Sequence, residues 1–362
     1  MLDPLTLFNL NPEVADSADL RGRKLLVGFT GFAEAGHVVS QIRDELFDAL
    51  DHDLVATFDA DQLIDYRNRR PQISFIEDHL SDYEPPRLEL HRMYDGLGEP
   101  FLFLSGFEPD LQWERFTAAV LHLVHSLEVE LVCWVHSIPM PVPHTRPIGV
   151  TTHGNRPDLV EGISSWTPIA QVQAAVGHLL ELRLSEAGVD VVGHVVHVPH
   201  YLAEAEFPPA AVAGLEYLGA AASLVLPTDR LREAGRDVER QIAQQVEASA
   251  EVKGVVSTLE KRYDEYTEST VRRSLLVKDN DELADAEEIG AAVEAYLASP
   301  QAEEESEALW PENPHGQAGE ETDTAQEYEP SDNADQENAP HATDGTVEDH
   351  GTGEPKGRNG GA

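Results

Sequence analysis

Three histidines at three-residue spacing, His194, His197 and His200 in GHVVHVPH, are of a type that binds metal ions. They sit in or beside an apolar run that reads as a strand, where successive side chains alternate faces. His194 and His197 therefore point to opposite sides and cannot share one ion, so no metal site is expected. His200 with Tyr201, just past the run, is the better pocket candidate, because α/β sheets bind ligands beyond the carboxyl ends of their strands. His144, Thr145 and Arg146 in PVPHTRP follow the most apolar run of the chain, VELVCWVHS, and prolines around them restrict the backbone. The loop suits a binding or active site and a structural turn equally. Arg67, Arg69 and Arg70 in DYRNRRP form a basic cluster in an acidic chain. They could hold a carboxylate or phosphate, although pairing with Asp65 and Glu77 is the favoured reading.

Other segments carry less chemistry. GFTGFAEAGH places Gly28, Gly31 and Gly36 between a strand and a helix, where backbone amides can hold an anion. It lacks the G-x-G-x-x-G spacing and the lysine of a phosphate-binding loop, so a structural turn is favoured, with Glu34 complementing the helix dipole. No cofactor is expected. GISSW is the nearest approach to a G-x-S-x-G elbow and does not match it. Cys133 cannot pair within the chain, and its apolar surroundings predict a buried, unreactive thiol.

The elements that must position these residues alternate between strand-like runs and helical periodicity, the pattern of an α/β fold with a mostly parallel sheet. Strands are expected at Lys24 to Thr30, Leu54 to Phe58, Leu88 to Met93, Pro100 to Gly106, Val129 to Ser137 and Val189 to Pro199. Helical spacing joins Val39, Ile42, Leu46 and Leu50, then Trp113, Phe116, Val120, Leu123 and Leu127, then Val172, Val176, Leu180 and Leu184. Pro208 and Pro209 open another helix. Residues 61–100 suit an excursion from the sheet. From Thr228 the chain is helical, with one stripe of Val252, Val255, Leu259, Tyr263 and Tyr266 and a second of Leu283, Ala286, Ile289, Val293 and Leu297 behind capping candidates Asp279, Asn280 and Asp281. The expected division is an N-terminal extension over 1–22, an α/β domain over 23–299 whose helical part is 228–299, and an acidic tail over 300–362 too poor in large apolar residues to order itself.

Sixty-seven acidic residues against 25 basic ones give a formal charge of -42, and residues 301–362 alone hold 17 acidic and two basic residues. Such a charge opposes binding to nucleic acid or to an anionic membrane. The N-terminal MLDPLTLFNLNPE lacks the basic and apolar regions of a signal peptide, and no run reaches the roughly 20 apolar residues of a bilayer span. A cytoplasmic location is expected.

Taken together, GFTGFAEAGH, DADQLIDYRNRRP, FLFLSGFEPDLQWERF, PMPVPHTRP, THGNRPDLVEG and GHVVHVPHYLAEAEFPPAA resemble the bacterial branch of the proteasome assembly chaperone 2 family, from about Leu25 to Leu297. The resemblance implies a three-layer α/β/α domain with a core like that of nucleoside phosphorylases, added C-terminal helices and self-association. Eukaryotic relatives assist proteasome assembly, which implies a non-catalytic, homo-oligomeric interaction module with a proteasome-related partner. Relatives that dock on the proteasome end in a hydrophobic-tyrosine-any-residue motif. This chain ends Asn359-Gly360-Gly361-Ala362, which speaks against docking by tail insertion and leaves binding through another surface open. The alternative is a small-molecule binder or enzyme with a phosphorylase-like pocket, in which Arg67, Arg70 or Arg146 holds an anion and His144 acts as acid or base.

Overall fold

In a computed structural model, which describes residues 2–14, 17–161 and 171–268, the apolar runs become strands in the order that their alternation suggests. The chain passes through β1 (Phe8–Leu10), β2 (Lys24–Thr30), α1 (Val38–Ala49), β3 (His52–Phe58) and the short α2 (Ala60–Leu63). It continues through β4 (Gln72–Ile76), β5 (His79–Glu84), β6 (Leu88–Tyr94), β7 (Pro100–Phe107) and α3 (Trp113–Ser126). Then come β8 (Leu131–Met140), β9 (Val150–Gly154), the short α4 (Pro157–Val160), α5 (Val176–Glu186) and β10 (Val191–Pro199). Helices α6 (Pro208–Ala222), α7 (Asp229–Ala248) and α8 (Ala250–Glu268) follow.

Eight strands form one sheet in the order β1-β3-β6-β7-β2-β8-β10-β9. Four neighbouring strands, β7-β2-β8-β10, are mutually parallel, and β3 runs in the same direction, which gives the mostly parallel sheet expected. β1, β6 and β9 run the other way. Alternation along each strand divides the core. Leu25, Val27, Leu102, Leu104, Val132 and Trp134 face α3 and α5. Leu26, Phe103, Cys133, Val135, Val192 and Val196 face α1 and α6. The result is three layers. Phe101, Phe103, Phe116 and Phe207 are fully buried, each worth roughly 1.5–3 kcal/mol relative to exposure. Cys133 is fully buried as well, and desolvation pushes its thiol up to about 12.

The segment before β2 is tied in. β1 pairs with β3, and Leu7 and Leu20 are fully buried. Arg115 of α3 donates to the Asp3 carbonyl at 3.0 Å and to Thr6 Oγ1 at 2.7 Å. Among the described residues no helix is long and apolar enough to cross a membrane.

Two details depart from periodicity, and the excursion from the sheet takes a definite form. Val172, expected in the helix of Val176, lies ahead of it and is exposed, because α5 begins only at Val176. On α8 Leu259 of the expected stripe is buried, joined by Val256, while Val252, Val255 and Tyr266 are exposed. The excursion after α2 forms a separate two-stranded antiparallel sheet, β4-β5, outside the main sheet. The stripe Leu283 to Leu297, its capping candidates, GISSW and the tail over 300–362 lie outside the described residues.

Candidate functional site

Trp134 and His136 are two residues apart on β8 and share a face. β10 sets Gly193 opposite Trp134 and Val195 opposite His136, and β9 sets His153 opposite Gly193 and Thr151 opposite Val195. Gly193 makes this cross-strand row possible. A Cβ there would collide with His153, Trp134 and Glu181. Without one, Trp134 and His153 both reach Glu181 of α5: the indole N–H donates to Oε2, and His153 Nδ1 lies 2.9 Å from Oε1.

Beside this row the imidazole of His136 stacks on Trp134, nearly parallel, with ring centres 4.5 Å apart. His178 of α5 meets Trp134 and His136 edge-on at 5.2 and 4.9 Å. The His178 ring is fixed because its Nδ1 accepts from the Ala175 N–H at 2.9 Å, at the start of α5. His136 is 4 % exposed, and neither of its ring nitrogens has a hydrogen-bond partner. Burial, reinforced by His178, His153 and other imidazoles, holds His136 well below the ordinary histidine range, and burial lowers His178 too. The His136 ring is therefore neutral at pH 7, carrying one donor and one acceptor.

His136, His153 and His178 line a cleft of about 870 Å³ past the carboxyl ends of β2 and β8, the position expected of a ligand site in such a sheet. Its far wall is the loop after β2. There Gly36 takes a left-handed φ of 67°, and the Glu34 carboxylate accepts from Gly31 N–H at 3.1 Å and Ser40 N–H at 2.8 Å. The anion position at the start of α1 is thus taken by the protein's own carboxylate, as the structural-turn reading holds. Glu108 braces the same wall, accepting from Val176 N–H at 2.7 Å and Phe32 N–H at 3.3 Å. Arg69 in turn donates to the Glu108 carbonyl at 2.6 Å. Among the described residues, no Lys or Arg lines the cleft, and no three His, Cys, Asp or Glu side chains are arranged to hold a metal ion.

The seven pocket candidates proposed from sequence lie elsewhere, whereas Gly31 and Glu34 of the loop after β2 line the cleft. The His144 N–H donates to the Tyr201 hydroxyl at 2.9 Å, and His144 Nδ1 lies 2.8 Å from it. Thr145 donates to Glu260 at 2.6 Å, and Arg146 donates through Nε and Nη2 to both carboxylate oxygens of Asp264 at 2.7 and 2.8 Å. Tyr263 donates to the Pro147 carbonyl at 2.9 Å. His144, Thr145, Arg146 and Tyr201 thus come together, but against α8. His200 is exposed, its ring 5.3 Å from that of Tyr201. Arg67 is 89 % exposed beside Asp65 at 3.6 Å, and Arg70 is exposed near it. None of the seven lines the cleft. His194 and His197 face apart: His194 packs toward Tyr217 of α6, while His197 Nε2 lies 2.8 Å from Thr151 Oγ1. Sequence reasoning missed His136, His153 and His178, which are far apart along the chain. The available signal was Gly193 inside a strand, a mark of close approach.

Residues 28–246, which span the cleft and the β4-β5 arm, match the PAC2 family. The chain belongs to the PAC2 family. Among solved structures this PAC2 protein is similar to a Mycobacterium tuberculosis protein of unknown function, at 42 % identity and a TM-score of 0.67 over 74 % of this chain and 95 % of that one. It is similar to a Corynebacterium glutamicum protein of unknown function, at 39 % identity and a TM-score of 0.69 over 72 % and 98 %. A Mycobacterium tuberculosis proteasome-assembly chaperone homologue shares the fold at 19 % identity and a TM-score of 0.60, over 64 % of this PAC2 chain and 99 % of its own. No curated protein matches the chain.

Proposed function

We propose that this PAC2 protein is a self-associating protein-interaction module of the assembly-chaperone kind, whose contact element is the β4-β5 arm. The observation that carries this reading is the arm's exposed apolar face. Phe75 pairs across the strands with Leu80, and Ile73 lies two residues from Phe75 on the same side. Phe75 is 70 % exposed and Leu80 60 %, with Ile73, Ile76 and Tyr83 also open to solvent. An isolated two-stranded hairpin is marginally stable in water, so an arm of this composition gains its stability from a partner surface.

A second copy of the chain is the partner favoured by charge. Exposed Arg67 and Arg70 lead into the arm, and exposed Glu77, Asp78, Asp82 and Glu84 lie within it, so two arms offer opposite charges to each other in a protein whose overall charge repels copies. A neighbour of the same fold is described as a proteasome-assembly chaperone homologue, and proteasome subunits are the heterologous partner this reading names. His144, Thr145, Arg146 and Tyr201 then serve as a clasp for α8. Two differently tagged copies of the full chain, mixed with purified proteasome α subunits and captured through one tag, test the reading. The expected result is recovery of the second tag and of α subunits, with the second tag lost on Phe75→Asp combined with Leu80→Asp. Recovery of neither from the unaltered chain overturns it.

A further inference from the structure

The arm reading leaves the cleft on the α5 side of the sheet without a task, and His136 makes it more than a gap between elements. Buried polar side chains are nearly always hydrogen-bonded, because leaving one unpaired loses its hydration with nothing in return. His136 is 4 % exposed, lines the cleft, and has no partner at either ring nitrogen. Its orientation is enforced: one ring face lies on Trp134, His178 and His153 approach edge-on at 4.9 and 6.1 Å, and Glu181 holds Trp134 and His153 in place. An unpaired group held this firmly is preorganised for something that enters the cleft.

The walls define what enters. Phe32, Ile138, Pro139, Val172 and Val195 make them mainly apolar, and at about 870 Å³ the space suits a small organic molecule rather than an ion. The charged side chains of the described lining are carboxylates, Glu34 and Glu204, apart from the histidines. Glu34 is engaged by Gly31 and Ser40, whereas Glu204 is exposed at the rim. With no lining Lys or Arg among the described residues, two carboxylates in the lining and a net charge of -42 on the whole chain, an anion is repelled. A flat ligand is favoured by a slot whose polar group is itself a ring locked among rings.

We propose that this cleft is a binding site for a neutral or cationic planar nitrogen heterocycle, anchored by a hydrogen bond to the His136 imidazole. The ring nitrogens of such a ligand supply the donor or acceptor that His136 lacks, and its faces take up the apolar walls. Sequence candidates for an anion site, Arg67, Arg70 and Arg146, have no part in it.

The test is a calorimetric titration of the full chain with adenine, nicotinamide and benzimidazole as probes, with benzoate and inorganic phosphate as anionic controls and Zn²⁺ alone as a third class. At least one heterocycle is expected to bind at one equivalent per chain, with neither anion binding. His136→Phe keeps the stack on Trp134 but removes the nitrogens, and is expected to weaken that heterocycle by roughly three- to tenfold, the weight of one hydrogen bond. Ala203→Trp, a second variant at the cleft lining, is expected to abolish binding while leaving His136 intact, and so covers the case in which His136→Phe fails to fold. In ¹⁵N-histidine spectra of the unaltered chain, the His136 ring signals are expected to move on titration. Absence of binding by all three heterocycles, equal binding of benzoate or phosphate, stoichiometric Zn²⁺ binding in their place, or a heterocycle indifferent to both variants each overturns the proposal. Self-association is read in the same samples by their sedimentation, so failure of the ligand site is distinguished from failure of the arm.

Discussion

Gly193 decides the local architecture by what it lacks: with no Cβ, it lets residues from β8, β9 and α5 meet over one strand. The same strand carries His194 on its other face, fully buried, with Thr152 Oγ1 3.2 Å from Nδ1 and the Tyr217 ring 5.7 Å away. Burial pushes His194 down to about 3, with a smaller contribution from His153. In the unfolded chain the ring titrates near its ordinary value of about 6.5. Between those two values the unfolded state binds a proton that the folded state refuses, so stability falls as pH falls through that window. His194→Leu removes this dependence. Urea unfolding at pH 7, 6.3 and 5.5 should show a pH slope shallower than that of the unaltered chain by up to about 1.4 kcal/mol per pH unit below 6.5, whatever the change in absolute stability. Equal slopes would mean that His194 is not held neutral in the fold.

Among the elements, the strands were the most legible. β2 follows the run Lys24 to Thr30, and β7, β8 and β10 fall within a few residues of their apolar runs, because a strand buried on two faces writes itself as a nearly unbroken apolar stretch, while β6 is marked by alternation instead. The β4-β5 arm was not legible as strands. Its apolar residues are interleaved with Glu77, Asp78, His79 and Asp82, and local pattern cannot tell an exposed hairpin from a polar loop. The candidate site was hidden for a different reason. The spacing of His194, His197 and His200 drew attention, yet strand alternation separates the first two. His136, His153 and His178 are joined instead by inter-strand register and by α5. The loop of His144 to Arg146 was conspicuous, and its partners Glu260 and Asp264 lie more than a hundred residues away. Arg146→Ala should loosen that attachment. Amide exchange across α8 is expected to accelerate while β8 and β10 stay protected, and an unchanged α8 would show that the Arg146 clasp does not hold the helix.

The whole molecule combines a PAC2 sheet, a histidine-lined cleft on one face and an apolar arm outside the main sheet. A charge of -42 favours solubility and opposes nonspecific association, so any stable contact between copies must come from a surface that locally offsets it. The arm, with its apolar stripe between basic and acidic residues, is such a surface. Sedimentation velocity of the full chain over a range of micromolar concentrations addresses this most directly. The unaltered protein should sediment as an integral multiple of its 39.8 kDa chain, and the Phe75→Asp, Leu80→Asp variant as a single chain with unchanged circular dichroism. A monomeric unaltered protein, or an assembly that survives the double substitution, would contradict the account.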